Sequence, residues 1–200
     1  MYSKFTNYLF LIFLYCLFLV TVYKIYITYF EVNVLLFSAI QSVLITTLLF
    51  TPVFLIKYFL IFELFEKVII IFTFLLIGLL IAISIPTVID RSLSFYILEK
   101  INQRGGGVKQ EYMKYIFTEE YIPEHRLIDI RLTEQLESGT ISINNGCVEL
   151  TKKGDRTVIF STFFRKHFLP TKRLIMGEYS NDLVNPFKNS KNLVDYECKN

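Results

Sequence analysis

Apolar residues form long runs in the first part of the chain and become periodic after it. Three runs cover residues 8–30, 34–56 and 68–89. A helix needs about 20 apolar residues to cross a bilayer, so each run predicts a transmembrane helix. The alternative for the first run is a cleaved signal peptide, but aromatic residues follow it where a small-residue cleavage site would stand. We therefore expect an uncleaved first span.

The predicted spans contain few polar groups that could serve a transport pathway. Gln41, Thr46 and Thr47 lie in the second run, and no charged residue lies in the middle of a span. Neutral polar side chains in membrane helices bond to neighbouring helices, whereas an ion pathway needs ionisable groups. A transporter subunit therefore has little support and would have to show substrate flux in liposomes. Pro52 and Pro86 are expected to kink or end their helices.

The pattern changes at the exit from the third run, where a short amphipathic helix is expected. Asp90 or Ser92 can cap this helix, and Arg91 stands between them. Its apolar stripe consists of Leu93, Ile97 and Ile101. Residues 105–107 are three glycines, which predict a turn rather than a phosphate loop because no GKS or GKT sequence follows them. We interpret Asp90, Arg91 and Ser92 as capping and orienting residues.

Two further helices are expected over residues 109–117 and 124–138, and Gly139 ends the second of them. The side of the second helix expected to be buried consists of Leu127, Ile128, Leu132 and Leu136.

A hairpin and a fourth helix complete the pattern. Asn145-Gly146 stands between alternating apolar residues, which predicts a two-stranded hairpin over residues 141–150. Thr151 can cap a helix from residue 152 to 168, and Pro170 ends it.

The resulting order of three helices, a hairpin and a helix is that of a winged helix. The stretch RLTEQLESGTISINNGCVELTKKGDRTV resembles the recognition helix and wing of MarR-like and PadR-like winged-helix proteins. The residues that carry the resemblance are Gly139, Ile141, Leu150, Thr151 and Gly154. It covers about residues 90–168 and implies a fold rather than a chemistry. Three spans followed by Asp-Arg-Ser and such a domain also resemble uncharacterised bacterial membrane proteins encoded near surface-polysaccharide genes.

Charge divides the chain in the same way. Only six charged residues lie in residues 8–89, and 32 lie in residues 90–200. We therefore expect an all-α membrane region with three transmembrane helices in residues 1–89, a small α+β winged-helix domain in residues 90–170, and an irregular tail in residues 171–200.

The orientation follows from Lys and Arg residues near the span ends. On the C-terminal side these are Lys24, Arg91, Lys100 and Arg104, and on the other side Lys4, Lys57 and Lys67. This bias predicts a multi-pass protein of the bacterial inner membrane with its N-terminus outside and its C-terminal domain in the cytoplasm. Three scattered cysteines, Cys16, Cys147 and Cys198, make no disulfide framework and fit a reducing compartment.

No enzyme motif is present, so we expect no catalytic residue, cofactor or metal site. His125 and His167 stand alone, and no His or Cys pair has the spacing of metal ligands. Glu119 and Glu120 are adjacent carboxylates of the kind that is usually solvated.

Positive charge collects after the hairpin, in a possible contact patch formed by Lys152, Lys153, Arg156, Arg165 and Lys166. A solvated helix face, attraction to anionic lipid headgroups and nucleic-acid contact all remain open for this patch. The helix over residues 124–138 has a net charge of −2, which disfavours duplex DNA because affinity comes largely from neutralised phosphates.

Four aromatic residues of the last helix are candidates for a partner groove, for core packing or for contact with the membrane surface. They are Phe160, Phe163, Phe164 and Phe168. The favoured hypothesis is an accessory or regulatory membrane subunit, of envelope or polysaccharide assembly, whose winged helix mediates protein contacts. Its partners are the lipid bilayer and a membrane protein or a second copy of the chain. The alternative is a membrane-tethered transcription regulator that binds DNA.

Overall fold

The computed structural model of the chain describes residues 2–183, 185–187 and 198. The chain divides into two compact units, Met1–Asp129 and Ile130–Asn200. Positions 184, 188–197, 199 and 200 of the expected tail lie outside the described residues.

Three helices of the first unit are long and apolar enough to cross a membrane, which confirms the three predicted spans. The helices are α1 (Tyr2–Tyr29), α2 (Leu35–Phe50) and α3 (Leu64–Ser84). Helix α3 begins four residues earlier than its apolar run predicts, because Glu63 and Glu66 form a reciprocal capping box at its start. Lys4 of α1 is paired with the Glu66 carboxylate at 2.9 Å.

Both prolines interrupt their helices, as expected. Helix α2 ends at Phe50, and a 3-10 turn continues over Thr51–Leu55 with Pro52 in its first turn. A second 3-10 turn spans Lys57–Phe59. Helix α3 ends before Pro86, which begins α4 (Pro86–Arg91) at a position where its missing N–H costs no helical bond.

The membrane helices pack through small residues at one level of the bundle. A Cβ atom on Gly78 of α3 would lie 2.6 Å from Val43 and 2.7 Å from the Tyr15 hydroxyl, so only glycine fits there. The Tyr15 ring stacks on Phe74 with 4.5 Å between ring centroids. Lipid tails are as apolar as leucine, so such close packing, rather than a hydrophobic driving force, holds membrane helices together.

The polar residues of α2 bond within the bundle, which is the role that their neutral character predicts. Tyr26 donates a hydrogen bond to the Gln41 side chain, and the hydroxyl groups of Tyr15 and Thr47 lie 3.0 Å apart. Thr46 donates to the Ser42 carbonyl oxygen at 2.6 Å.

Helix α5 (Leu93–Gln103) follows the membrane helices and packs on a series of short turns. The turns are Gln110–Tyr112 (3-10), α6 (Met113–Tyr115), Ile116–Tyr121 (π) and α7 (Ile122–Glu124). Their shared core is centred on Tyr96, Ile116 and Tyr121. The expected stripe of α5 is wrong in part: Leu93 is exposed, and Tyr96 and Lys100 are the buried residues. The buried face is shifted because Lys100 binds carboxylates of the following turns.

The remaining elements confirm the predicted hairpin and last helix. They are α8 (Leu127–Glu137), β1 (Ile141–Asn144), β2 (Cys147–Leu150) and α9 (Lys152–Phe168). Strands β1 and β2 pair antiparallel with Asn144 opposite Cys147. Asn145 and Gly146 have φ values of 51° and 79°, as a type I′ turn requires. Gly139, with a φ of 68°, ends α8 as a left-handed cap.

Helix α8 covers only part of the face that its apolar pattern predicts, because Leu127 and Leu132 are half-buried. Ile128 and Leu136 are exposed, and Glu134 is the buried residue of this helix. Glu134 tolerates burial because Arg131 binds its carboxylate at 2.7 Å. The winged-helix fold therefore stays a prediction.

The tail is more regular than expected. Strands β3 (Arg173–Ile175) and β4 (Glu178–Ser180) form a second antiparallel hairpin. Met176 and Gly177 form its turn with positive φ values. Each strand of this hairpin is only three residues long and charged and polar residues flank it. Its alternating pattern is therefore too short to recognise in the composition of the tail.

Candidate functional site

Helix α9 carries a row of exposed aromatic side chains that we call the aromatic face: Phe160, Phe163, Phe164 and Phe168. The exposed fractions of these four side chains range from 43% to 65%. Their spacing of three to five positions places them on one side of the helix. Neighbouring rings touch, with centroids 6.0 Å apart for Phe160 and Phe164 and 5.2 Å apart for Phe164 and Phe168.

Two basic side chains extend the aromatic face at its ends. Arg156 precedes Phe160 by four positions and is exposed, so it lies on the same side of α9. His167 follows Phe163 by four positions, and the centroids of their rings are 4.7 Å apart. The surface therefore combines aromatic rings with cationic and polar groups.

The five residues of the expected basic patch do not share one surface of α9. Arg165 stands two positions after Phe163, and Lys166 two positions after Phe164. Arg165 also stands three positions before Phe168, and Lys166 three positions after Phe163, so the two cations border the aromatic face on opposite edges and do not lie within it. Lys152 is exposed at the start of α9, and Lys153 donates a hydrogen bond to the Ser138 carbonyl oxygen at 2.5 Å.

The residues that suggested a winged helix join the hairpin to α9. The Thr151 hydroxyl oxygen accepts a hydrogen bond from the Gly154 N–H at 3.1 Å, which makes Thr151 the N-cap of α9. The same hydroxyl donates to the Gly139 carbonyl oxygen at 2.8 Å. Gly154 lies directly against the Thr140 carbonyl group, where a Cβ atom would collide. These residues join the hairpin to α9.

At the membrane exit, the three sequence-predicted residues have different positions. Ser92 is the N-cap of α5, because its hydroxyl oxygen accepts a hydrogen bond from the Phe95 N–H at 3.4 Å. Asp90 and Arg91 instead form the last turn of α4. A basic residue at a helix C-terminus interacts favourably with the helix dipole.

A polar cluster around Lys100 was not foreseen from the sequence. The Lys100 side chain is 5% exposed, and its ammonium group lies 2.8 Å from a Glu120 oxygen and 2.9 Å from a Glu124 oxygen. Tyr96 donates a hydrogen bond to Glu124 at 3.0 Å, and Arg104 binds Glu120 at 3.2 Å. Glu120 is therefore paired rather than solvated.

The charges of this cluster stabilise one another. The carboxylates of Glu120 and Glu124 raise the pKa of Lys100. The Lys100 ammonium group in turn lowers the pKa of both carboxyl groups. Lys100, Glu120 and Glu124 are therefore ionised near neutral pH, and their pairing holds α5 against the following turns. The four-residue spacing of Tyr96 and Lys100, and of Glu120 and Glu124, was the only signal in the sequence.

The cysteines differ from expectation. Cys147 of β2 and Cys198 are joined by a disulfide bond, with 6.0 Å between their Cα atoms. Cys16 is a free cysteine of α1. The expectation of unpaired cysteines is therefore wrong for two of the three, because residues distant in sequence meet at the hairpin. The cysteines thus no longer support a reducing compartment.

Within the residues that the structure describes, no three His, Cys, Asp or Glu side chains are grouped as metal ligands. The described residues have the features of a membrane protein: three helices long and apolar enough to span a bilayer, followed by a more polar part that carries an exposed aromatic helix. In comparison with known proteins, no family model, characterised protein or solved structure matches the chain.

Proposed function

We propose that the chain is a small integral protein of the bacterial inner membrane whose C-terminal part binds a partner protein through the aromatic face of α9. It acts as an accessory or regulatory subunit, of envelope or polysaccharide assembly. The partner is another membrane protein or a second copy of the chain.

This proposal rests on the exposure of the aromatic face. Among the described residues of the unit Ile130–Asn200, no apolar side chain is buried. Four touching phenylalanine rings on one helix form a larger apolar surface than the scattered exposed residues of an ordinary monomer. Contiguous patches of this kind mark sites of interaction with proteins or membranes.

The composition of the face favours a protein over the lipid surface. Interface cores are enriched in aromatic residues and arginine, and Arg156 lies on the same side of α9 as the rings. A helix that lies in the membrane interface keeps its charged residues off the side that faces the lipid. Arg165 and Lys166 meet this condition, but Arg156, on the side of the rings, does not. The polar ring of His167, which contacts Phe163 at a tilted angle, is likewise suited to a partner with hydrogen-bonding groups.

The DNA-binding alternative receives less support. The two arginines of the expected recognition helix are already paired, Arg126 with Asp129 at 2.8 Å and Arg131 with Glu134 at 2.7 Å. Phosphate binding would have to break these pairs or rely on other cations. Binding of duplex DNA to the full chain in nanodiscs, tighter than about 10⁻⁴ to 10⁻⁶ M at physiological salt, would restore this alternative.

The proposed orientation places the C-terminal part in the cytoplasm, on the basis of the Lys and Arg residues near the span ends. The bond between Cys147 and Cys198 is the observation against it, since the cytosol keeps thiols reduced. In this orientation we expect the two cysteines to be thiols in the growing cell.

Photo-cross-linking from the aromatic face tests the proposed partner. A benzophenone amino acid replaces Phe163 in one full-length variant. In a separate control variant it replaces Thr162, which lies outside the aromatic face. We expect an adduct with one defined protein from position 163, which the substitution Phe160→Ser weakens. Leu174→Ser, which removes a similarly exposed apolar residue of β3, should leave the adduct unchanged.

The products distinguish the possible occupants. An adduct of twice the mass of the chain identifies a second copy as the partner and supports the proposal in that form. Adducts with lipid alone, or equal adducts from positions 162 and 163, contradict a protein-binding aromatic face.

A further inference from the structure

A cavity of about 330 Å³ lies between the three membrane helices. Only apolar atoms line it, and the residues that define it best are Leu19, Tyr23, Ala39, Val43, Ala82 and Pro86. It belongs to the unit Met1–Asp129 and is separate from the aromatic face of α9.

The sizes of successive side chains explain why the cavity forms. Tyr15, Val43 and Gly78 pack closely at one level, where a Cβ atom on Gly78 would meet both Val43 and Tyr15. The next level lies one helical turn closer to the C-terminal end of α1. There, α2 contributes Ala39 and α3 contributes Ala82 in place of larger side chains. Two alanines leave a hollow that Leu19 alone does not fill.

The depth of the cavity places it within the hydrocarbon of one leaflet. Ala39 lies four residues from the start of α2, and Ala82 lies nine residues before the end of α4. At 1.5 Å per residue, these separations correspond to about 6 to 14 Å. Half of a hydrocarbon core is about 15 Å thick, so the cavity lies in the leaflet on the same side as Arg91.

We propose that this cavity binds one acyl chain of a phospholipid. Its volume falls in the range of small-molecule sites, about 300 to 1,000 Å³, and its lining offers no partner for water. Val20 and Ile85 at its rim are exposed to the surrounding bilayer. Lipid acyl chains are the most concentrated molecules at this rim. An acyl chain can therefore enter the cavity sideways from the bilayer.

Tryptophan fluorescence provides a direct test, since the chain contains no tryptophan of its own. Val20→Trp places the probe at the cavity. Ile83→Trp is the control, since Ile83 is similarly exposed and at a similar depth but does not line the cavity. The full-length variants are purified in detergent and titrated with a phospholipid that carries bromine on its acyl chains, which quenches fluorescence on contact.

We expect saturable quenching of the probe at position 20, with a plateau near one phospholipid per chain, and weak non-saturable quenching at position 83. The same phospholipid without bromine should restore the fluorescence. Ala82→Phe, which fills the cavity, should abolish the saturable part. If Ala82→Phe does not fold, the difference in quenching between positions 20 and 83 still shows whether the cavity binds the phospholipid.

Equal, non-saturable quenching at both positions would overturn the proposal. A signal at position 20 that depends on protein concentration and not on the phospholipid would also overturn it, because it would show that a second copy fills the cavity.

Discussion

The Tyr15 hydroxyl group lies 3.0 Å from the Thr47 hydroxyl oxygen inside the membrane bundle. Thr47 donates its single hydroxyl proton to the Val43 carbonyl oxygen at 2.8 Å. Tyr15 must therefore be the donor to Thr47, and α1 and α2 are joined by a bond of defined direction. The Tyr15 ring also stacks on Phe74 of α3, so this one residue links all three spans.

Replacement of Tyr15 by Phe removes the donor but keeps the stacked ring. We expect a loss of about 0.6 kcal/mol and at most about 1.7 kcal/mol, the range of hydrogen bonds between membrane helices. Unfolding in mixed micelles with increasing denaturing detergent measures this loss. Thr73→Val is the control, because the exposed Thr73 hydroxyl binds only its own helix and its removal should change stability little.

Gly78→Ala tests the close packing next to this bond. The added methyl group would lie closer than van der Waals contact to both Val43 and Tyr15, and overpacking of this kind costs about 1 to 3 kcal/mol. Combination with Val43→Ala should give a double variant less destabilised than the sum of the two single variants. Gly107→Ala, with open space around its Cβ position, should have little effect. Strict additivity would contradict the contact.

The cluster around Lys100 predicts which of two substitutions loosens the packing of α5 more. Lys100→Met should loosen the packing of α5 on the turns of residues 110–124 more than Arg104→Met does. Both changes remove a cation from Glu120, but the Lys100 side chain is 5% exposed and Arg104 55% exposed, and water screens the exposed pair. Amide hydrogen exchange over residues 96–124 measures the loosening. Equal exchange in the two variants would show that the cluster does not hold these turns.

The same cluster predicts a dependence on pH. The pKa values of Glu120 and Glu124 are lowered, so their contribution is present above their unfolded pKa of about 4.3 and is lost as the pH falls through the folded values. The pKa of Lys100 is raised, so its contribution is complete below its unfolded pKa of about 10.4 and is lost as the pH rises through the higher folded value. Exchange over residues 96–124 should therefore accelerate below pH 4, after correction for intrinsic rates. The double variant Glu120→Gln/Glu124→Gln should remove this acceleration.

Local signals in the sequence predicted the elements that depend on neighbouring residues. The type I′ turn at Asn145 and Gly146 follows from the φ values that these residue types tolerate, and the cap at Thr151 follows from its hydroxyl group. The lengths of the apolar runs predicted the spans, because bilayer thickness sets them.

Contacts between distant residues were not predictable in this way. Lys100 meets Glu120 and Glu124 because of a π-helical turn that has no clear sequence signal, and Cys147 meets Cys198 across 51 positions. The aromatic face was recognised as a set of residues, but its exposure depends on which surfaces α9 leaves uncovered. The lipid-facing cavity depends on three helices at once, so no single periodic pattern indicates it.

The junction between hairpin and α9 yields a prediction for the unit Ile130–Asn200. Thr151→Ala should destabilise α9 by about 1 kcal/mol, because it removes the hydroxyl oxygen that accepts from Gly154. Gly154→Ala should cost more, since its methyl group meets the Thr140 carbonyl group, which is backbone and cannot move aside alone. Circular dichroism and hydrogen exchange over residues 139–168 measure both effects. Gly146→Asn should cost far less, because asparagine tolerates a positive φ.

The state of Cys147 and Cys198 in growing cells decides the orientation of the C-terminal part. Cells that produce the Cys16→Ala chain are treated with a membrane-permeant maleimide, then denatured, reduced and labelled with a large maleimide. A cytoplasmic C-terminal part keeps both thiols reduced, so the first reagent blocks them and we expect no added mass. A disulfide survives the first step and gives two additions after reduction. Two additions would contradict the proposed orientation and place the aromatic face outside the cytoplasm. The variant Cys198→Ser in the same background leaves Cys147 without its partner and should give no addition in either orientation.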